Sequence, residues 1–155
     1  MTTAPPPKPR VFVDADALFT GAAAPTEYGA SQVVLRMAEI TLIDAVTSQQ
    51  VIVEVERNLA DKLPAALPAF QVIVQRCLRV VPDPEPADLA AYVGLADPKD
   101  LPILVAAARE GCQWLVTFNV RHFHPGHPSV TILRLGDFIL RIRHLLAHLT
   151  SASGV

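Results

Sequence analysis

Four acidic residues lie in two segments of this sequence that should place their side chains at one edge of a β-sheet. Asp14 and Asp16 come directly after Arg10–Val13, an apolar run typical of a buried parallel strand. Asp97 and Asp100 lie in a turn ahead of an alanine-rich helix. Ligands of open parallel sheets bind beyond the carboxyl ends of the strands. We therefore expect these carboxylates to gather there.

Asp14 and Asp16 also fit ordinary structural roles. Alternation along the strand places both on one face with Phe12, but a helix that begins at Ala15 would leave only Asp14 in a definite position. Asp14 is suited to cap the N-terminus of that helix, and Asp16 to lie solvated in its first turn. These alternatives stay open.

Pro102 indicates which aspartate begins the next helix. Proline is tolerated in the first turn of a helix, where the backbone N–H groups are unpaired in any case. If Asp100 is the N-cap, Pro102 is the second residue after it. If Asp97 is the N-cap, Pro102 is the fifth residue after it and a helical hydrogen bond is lost. We therefore place Asp100 at the start of a helix over 101–110 and Asp97 in the preceding turn. A purely capping Asp100 and a solvated Asp97 are the alternatives.

Glu54 lies inside a predicted helix over 48–62, among β-branched residues from Val51 to Val55. Burying an unpaired carboxylate is costly, so this apolar setting favours a functional role. The alternative is a boundary residue that pairs with Arg57.

A strand over 113–118 delivers Thr117 and Asn119 to the same edge of the sheet. Asn119 offers a neutral oxygen to a cation, although an asparagine that only forms a turn fits as well. Three histidines follow within six residues: His122, His124 and His127. They include no cysteine, match no structural zinc spacing and lie among prolines, so we interpret them as a loop.

Carboxylates that converge repel one another, and a divalent cation relieves that repulsion. Oxygen ligands suit Mg²⁺ or Mn²⁺, which keep several waters and bind substrate phosphates. Such a site activates water and holds a phosphodiester. The sequence has no glycine-rich phosphate loop and no serine in a nucleophile elbow that would indicate other chemistry.

The 155 residues, 51% hydrophobic and 18% charged, suit one packed domain. Alternating strands and helices predict a three-layer α/β/α sandwich with a mostly parallel central sheet over residues 11–150, after a disordered proline-rich segment over 1–10. The remaining predicted elements are a helix that Ser31 caps, strands over 40–43, 78–81 and 130–133, and helices over 65–76, 87–95 and 136–149.

The overall charge and the cysteines restrict the class of protein. The net charge of −2 gives no general basic field, which argues against a high-affinity DNA binder. The N-terminus does not have the pattern of a secretory signal, and no apolar run has the length of a membrane span. Cys77 and Cys112 lie in apolar surroundings and are interpreted as buried thiols of a reducing compartment. We expect a cytoplasmic protein with no membrane partner.

The sequence resembles the PIN-domain nucleases, in particular the bacterial VapC-like toxins. FVDADALFTGA is similar to the opening strand of that family, and SQQVIVEVERNL to its helix with an internal glutamate. DPKDLPILVAAAREGCQWLVTFNVRHF is similar to its most specific stretch, in which paired aspartates precede an alanine-rich helix and a strand. The resemblance spans about residues 11–133.

This resemblance implies a metal-dependent endoribonuclease, with Asp14, Glu54 and Asp100 as ligands of Mg²⁺ or Mn²⁺ and Asp97 as a helper. For the toxins it also implies an RNA substrate, a protein antitoxin and frequent dimerisation. Two residues depart from the pattern, because Asn119 and His122 stand where many relatives have acidic residues. A PIN fold that has lost catalysis and binds RNA or protein is therefore one alternative.

The segment FVDADAL also resembles the start of haloacid-dehalogenase-like phosphatases. Asp14 would then be the nucleophile and Asp16 the acid. That chemistry needs a lysine ahead of a second acidic pair, and Lys99 is poorly spaced for it.

Overall fold

The structure is a computed structural model that describes residues 8–24 and 29–152. Its five strands form one parallel sheet in the order β3-β2-β1-β4-β5. They are β1 (Arg10–Val13), β2 (Asp44–Ser48), β3 (Arg79–Val81), β4 (Trp114–Val116) and β5 (Thr131–Leu133). The central strand is β1, whose Val11, Phe12 and Val13 are almost completely buried, as its unbroken apolar run predicted.

Helices join the strands and pack on the sheet, which confirms the predicted α/β sandwich. They are α1 (Ala15–Ala23), α2 (Ala30–Glu39), α3 (Gln49–Lys62), α4 (Leu67–Cys77), α5 (Leu101–Arg109) and α6 (Leu135–Ala152). Short 3₁₀ turns lie at Pro64–Ala66, Pro86–Tyr92 and Val120–Phe123. Helix α1 packs against α3, while α5 contacts β2 and β4.

The strand order places a topological switch point between β1 and β4. From β1 the chain continues to β2 and β3 on one side, and it later adds β4 and β5 on the other side. A crevice opens outside the carboxyl ends of the strands at such a point, and ligands of α/β proteins bind there. The residues that follow β1 and β4 are therefore the first candidates for a site.

The predicted strand over 40–43 is wrong, because β2 begins four residues later at Asp44. The apolar residues of that segment complete the end of α2, where the backbone N–H groups of Leu42 and Ile43 both bond to the carbonyl of Met37. Thr41 has a positive φ of 65° that ends the helix. Asp44 is tolerated in the strand because Arg10 Nε lies 2.8 Å from its Oδ2.

Several helix boundaries also differ from prediction. Gly29, not Ser31, occupies the N-cap of α2, and no residue in the described ranges forms a hydrogen bond with the buried Oγ of Ser31. Helix α1 continues past Gly21 to Ala23. The predicted helix over 87–95 is a 3₁₀ turn that Glu85 and Asp88 cap reciprocally.

The N-terminal segment and the two cysteines follow the predictions in part. Residues 1–7 of the segment expected to be disordered lie outside the described residues, and Arg10 belongs to β1. Cys112 is buried as expected, whereas Cys77 is only half-buried. Within the described ranges, none of the helices has the length and apolar character needed to cross a membrane.

Candidate active site

Asp14 and Thr117 lie side by side at the switch point, because each directly follows one of the two paired strands. The backbone N–H of Asp14 donates to the carbonyl of Val116, at 3.1 Å. Asp14 Oδ1 accepts the N–H of Ala15 at 2.7 Å, and Oδ2 accepts the hydroxyl of Thr117 at 2.9 Å. Asp14 therefore caps α1 with one oxygen and faces Thr117 with the other. Its capping role is compatible with a role in the candidate site.

Asp16 joins the first turn of α1 to the loop after β4. Its Oδ1 accepts the N–H of Ala17 at 2.7 Å. Its Oδ2 lies within hydrogen-bond distance of three donors, the hydroxyl of Thr117 (3.1 Å), the N–H of Phe118 (2.9 Å) and Nδ2 of Asn119 (3.2 Å). The alternative of a merely solvated first-turn residue is therefore wrong. Asn119 contributes its amide N–H₂ to this network, which leaves its oxygen available.

The fully buried hydroxyl of Thr117 lies between the two carboxylates but has a single hydrogen to donate. It also accepts the N–H of Asn119 at 3.0 Å. The hydroxyl of Thr117 can therefore donate to only one of the two carboxylates at a time, Asp14 Oδ2 at 2.9 Å or Asp16 Oδ2 at 3.1 Å.

Asp14 has the most perturbed carboxyl of the site. Burial raises its pKa from 3.8 to about 7, and the negative charge of Asp16 adds to the rise. The hydrogen bonds from Ala15 and Thr117 oppose this shift without cancelling it. The side chain is only 6% exposed, so water does little to stabilise the ionised form.

We expect Asp14→Asn to stabilise the metal-free protein increasingly as the pH rises from 5 to 8. Between pH 3.8 and about 7 the unfolded wild type releases a proton that the folded state keeps. The free energy of unfolding of the wild type therefore falls by about 1.4 kcal/mol per pH unit up to pH 7. The amide of the variant does not titrate, so the difference between the two proteins should grow by about 2–3 kcal/mol. Urea denaturation in EDTA at both pH values measures it, and a constant difference would contradict the assignment.

Asp97, Asp100 and His122 form a second group in the same region. One ligand atom from each residue lies within 4.8 Å of the other two. The N–H of Asp97 donates to the carbonyl of His122 at 2.8 Å, which holds the loop before α5 against the turn after β4. Asp100 begins α5 as Pro102 predicted, but its side chain makes no capping hydrogen bond, so the purely capping alternative is wrong.

One oxygen of Asp100 is buried beside the imidazole of His122. Among the described residues, no hydrogen bond reaches Asp100 Oδ2, and His122 Nδ1 lies 3.1 Å away without hydrogen-bond alignment. Burial raises the pKa of Asp100 although Lys99 and His122 oppose the shift. A buried carboxylate oxygen without a hydrogen bond is free to contact a cation.

Glu54 extends from α3 beside this region. Its side chain is exposed, although the apolar residues around it in the sequence suggested burial. Val51 and Val55 point into the core, while Glu54 is exposed on another side of the helix. Partial burial raises its pKa, the charge of Asp100 raises it further, and Lys99 lowers it. The described residues form no ion pair between Glu54 and Arg57; both line a cavity of about 470 Å³.

The donor set fits a hard divalent cation. Asp14, Glu54 and Asp100 all have raised pKa values, and for each one the charge of another acidic residue contributes. The unpartnered oxygen of Asp100 is an available ligand. Oxygen-rich sites of this kind hold Mg²⁺ or Mn²⁺.

Comparison with known proteins identifies the family. A family model described as a PIN domain matches residues 10–121. The chain belongs to the PIN-domain family of nucleases, as its motifs suggested. No curated protein matches it significantly.

Two solved structures have a similar fold at low sequence identity. The structure of VapBC2 from Rickettsia felis, bound to a DNA fragment from their promoter, is 15% identical with a TM-score of 0.62. It covers 81% of this chain and 98% of its own. The Mycobacterium tuberculosis toxin VapC20, which cleaves the sarcin-ricin loop, is 17% identical with a TM-score of 0.50, over 68% of this chain and 86% of its own.

Two features of the site were not evident from the sequence. The sequence placed Asp16 beside Asp14 but did not show that it holds the loop after β4. It interpreted His122 as part of a histidine-containing loop and as a departure from the family pattern, because nothing local indicates that this turn lies against Asp97. The family match also argues against the phosphatase alternative, and Asp14 has both oxygens engaged by hydrogen bonds.

Proposed function

We propose that this protein is a metal-dependent endoribonuclease that hydrolyses RNA phosphodiester bonds. Mg²⁺ or Mn²⁺ would be held by Asp14, Asp100 and Glu54, with Asp97 as a helper. The observation that carries the proposal is the group of carboxyls with raised pKa values at the β1–β4 switch point. One of them, Asp100, has a buried oxygen that receives no hydrogen bond from the described residues. A bound cation would supply the positive charge that activates water and neutralises the phosphate.

The residues of the chain prepare this site in distinct ways. Asp14 must lose its proton before it can act as a ligand, and burial makes that loss occur near neutral pH. Asp16 and Thr117 fix the position of Asp14 relative to β4 through their shared hydrogen bonds. Lys99 and Arg57 are the positive charges that act on Glu54, and in this proposal they would attract RNA phosphates.

The proposal is tested by incubating the purified chain with a mixed RNA pool in Mn²⁺, in Mg²⁺ and in EDTA. We expect cleavage with either metal and none in EDTA. Binding of RNA without cleavage would favour the non-catalytic module that Asn119 and His122 suggest. Phosphate trapped on Asp14 from a phosphomonoester would favour the phosphatase.

Cation binding should release protons below pH 7. Because ligands must be deprotonated, the apparent affinity for Mn²⁺ should fall by about tenfold for each pH unit below the pKa of Asp14. Calorimetry in two buffers of different ionisation enthalpy measures the protons released. We expect about one more proton at pH 6 than at pH 8. Equal release at both pH values would show that Asp14 is not a ligand.

We further propose that the protein is the toxin of a toxin–antitoxin pair and acts in the cytoplasm. The family match supports this role, as do the similar structures, one a complex called VapBC2 and the other a toxin that cleaves the sarcin-ricin loop. Expression in a bacterial host should arrest growth. Co-expression of a small protein encoded next to this gene should restore it, whereas arrest by an Asp14→Asn variant would contradict the proposal.

We also propose that the protein forms a homodimer through one face of α6. In α6 the buried residues Phe138 and Ile142 continue at helical spacing into Leu145 and Leu149, which are 46% and 61% exposed. We expect a second copy of the chain to cover this face. Light scattering should give twice the monomer mass, and Leu149→Glu should reduce it to that of one chain.

A further inference from the structure

The group of Asp97, Asp100 and His122 differs from the rest of the cleft because one of its ligand atoms is a nitrogen. Within the part of the chain that the structure describes, no other three His, Cys, Asp or Glu residues meet the same spacing. The backbone bond between Asp97 and His122 holds the imidazole beside the carboxylates. The nitrogen is therefore held by the 3₁₀ turn at Val120–Phe123 and by this backbone contact.

The contact between His122 and Asp100 has the spacing of two ligands on one ion. Nδ1 and Oδ2 lie 3.1 Å apart without the alignment of a hydrogen bond. Two neighbouring ligands at about 2.1 Å from an octahedral cation are separated by about 3 Å. A cation that both atoms contact would also provide the partner that the buried Oδ2 lacks.

The other histidines of this loop are engaged elsewhere or exposed. His127 Nδ1 lies 2.7 Å from the hydroxyl of Ser129, and its ring packs 5.5 Å from that of Tyr92. His124 is exposed to solvent. His124 therefore offers a matched control from the same loop.

We propose that His122 is a nitrogen ligand of the divalent cation in the cleft, beside Asp97 and Asp100, and that it makes the site favour Mn²⁺ over Mg²⁺. The inference rests on the proposed function, because the cation is the one that Asp100 holds there. Imidazole binds transition-metal ions well, whereas Mg²⁺ is bound mainly by oxygen. Replacement of His122 should therefore weaken Mn²⁺ binding more than Mg²⁺ binding.

The test is pulsed electron paramagnetic resonance of the full chain loaded with Mn²⁺, which detects a nitrogen bound directly to the ion. Four proteins are compared: wild type, His122→Ala, His122→Asp and His124→Ala. We expect nitrogen coupling in the wild type and in His124→Ala, and none in the two His122 variants. Titrations should show that His122→Asp lowers the ratio of Mn²⁺ to Mg²⁺ affinity by at least about tenfold.

Each outcome separates this inference from the proposed function. Bound Mn²⁺ without nitrogen coupling in the wild type, or with coupling that persists in His122→Ala, overturns the role of His122 and leaves the nuclease intact. A wild type that binds no Mn²⁺ overturns both. Nitrogen coupling without RNA cleavage supports the ligand and overturns the nuclease. Thermal unfolding checks that the His122 variants are folded, which we expect because the bond to Asp97 uses the backbone.

Discussion

Replacing Asp14 by Asn should reduce RNA cleavage by at least about a thousandfold, which corresponds to about 4 kcal/mol of transition-state stabilisation. Asn keeps the size of the side chain and can still accept the N–H of Ala15 that caps α1. It cannot supply the negative charge that a divalent cation requires. Asp100→Asn should have a similar effect, because it neutralises the carboxyl whose Oδ2 lacks a partner.

The stability of the Asp14→Asn variant makes this result informative. Loss of activity in a variant usually raises the question of unfolding, yet this variant should be more stable than the wild type above neutral pH in EDTA. Asp61→Asn is a matched control, since Asp61 is exposed near the end of α3. Initial cleavage rates at pH 8 in Mn²⁺ measure the effect. An Asp14→Asn enzyme with more than a tenth of wild-type activity would contradict a role for Asp14 as a ligand.

Asp16→Ala should lower both stability and activity, because it removes the acceptor that holds the loop after β4. The N–H of Phe118 and the amide of Asn119 both donate to Asp16 Oδ2. Hydrogen bonds to a charged group contribute about 1.5–3 kcal/mol each, so a loss of about 2–4 kcal/mol in unfolding free energy is expected for this partly exposed site. Cleavage should fall by about 10–100-fold, as for residues that orient a metal ligand.

Asp61→Ala is the control for this second prediction. Urea denaturation gives the stability, and Mn²⁺ titration well below the melting temperature separates a misplaced site from an unfolded protein. We expect Asp16→Ala to bind Mn²⁺ more weakly while folded. Wild-type affinity together with wild-type stability would show that the Asp16 network does not position the site.

The sequence was sufficient to predict the positions of the site residues that the local backbone geometry fixes. Asp14 and Thr117 were predictable because each follows a buried strand, and parallel strands end at the same edge of a sheet. Asp100 was predictable because Pro102 restricts where α5 begins. In each case the position depends on residues close by in the chain.

The features that depend on distant contacts were not predictable. The apolar residues at 40–43 suited a strand, but Asp44 begins the strand because Arg10 and Arg79 pair with it from neighbouring strands. Glu54 had buried neighbours, yet helical spacing turns its own side chain outward. The approach of His122 to Asp100 joins segments that are separated by an entire helix and strand.

The most direct test of the account is the position of Mn²⁺ in a crystal of the wild-type protein at pH 8, found by anomalous scattering. We expect a Mn²⁺ peak in the cleft at the β1–β4 switch point, with carboxylate oxygens of Asp14 and Asp100 about 2–2.5 Å from bound metal. A cleft without Mn²⁺ at millimolar concentration would contradict the account. So would carboxylates of Asp14 and Asp100 more than about 8 Å apart, which is too far for coordination to a shared site.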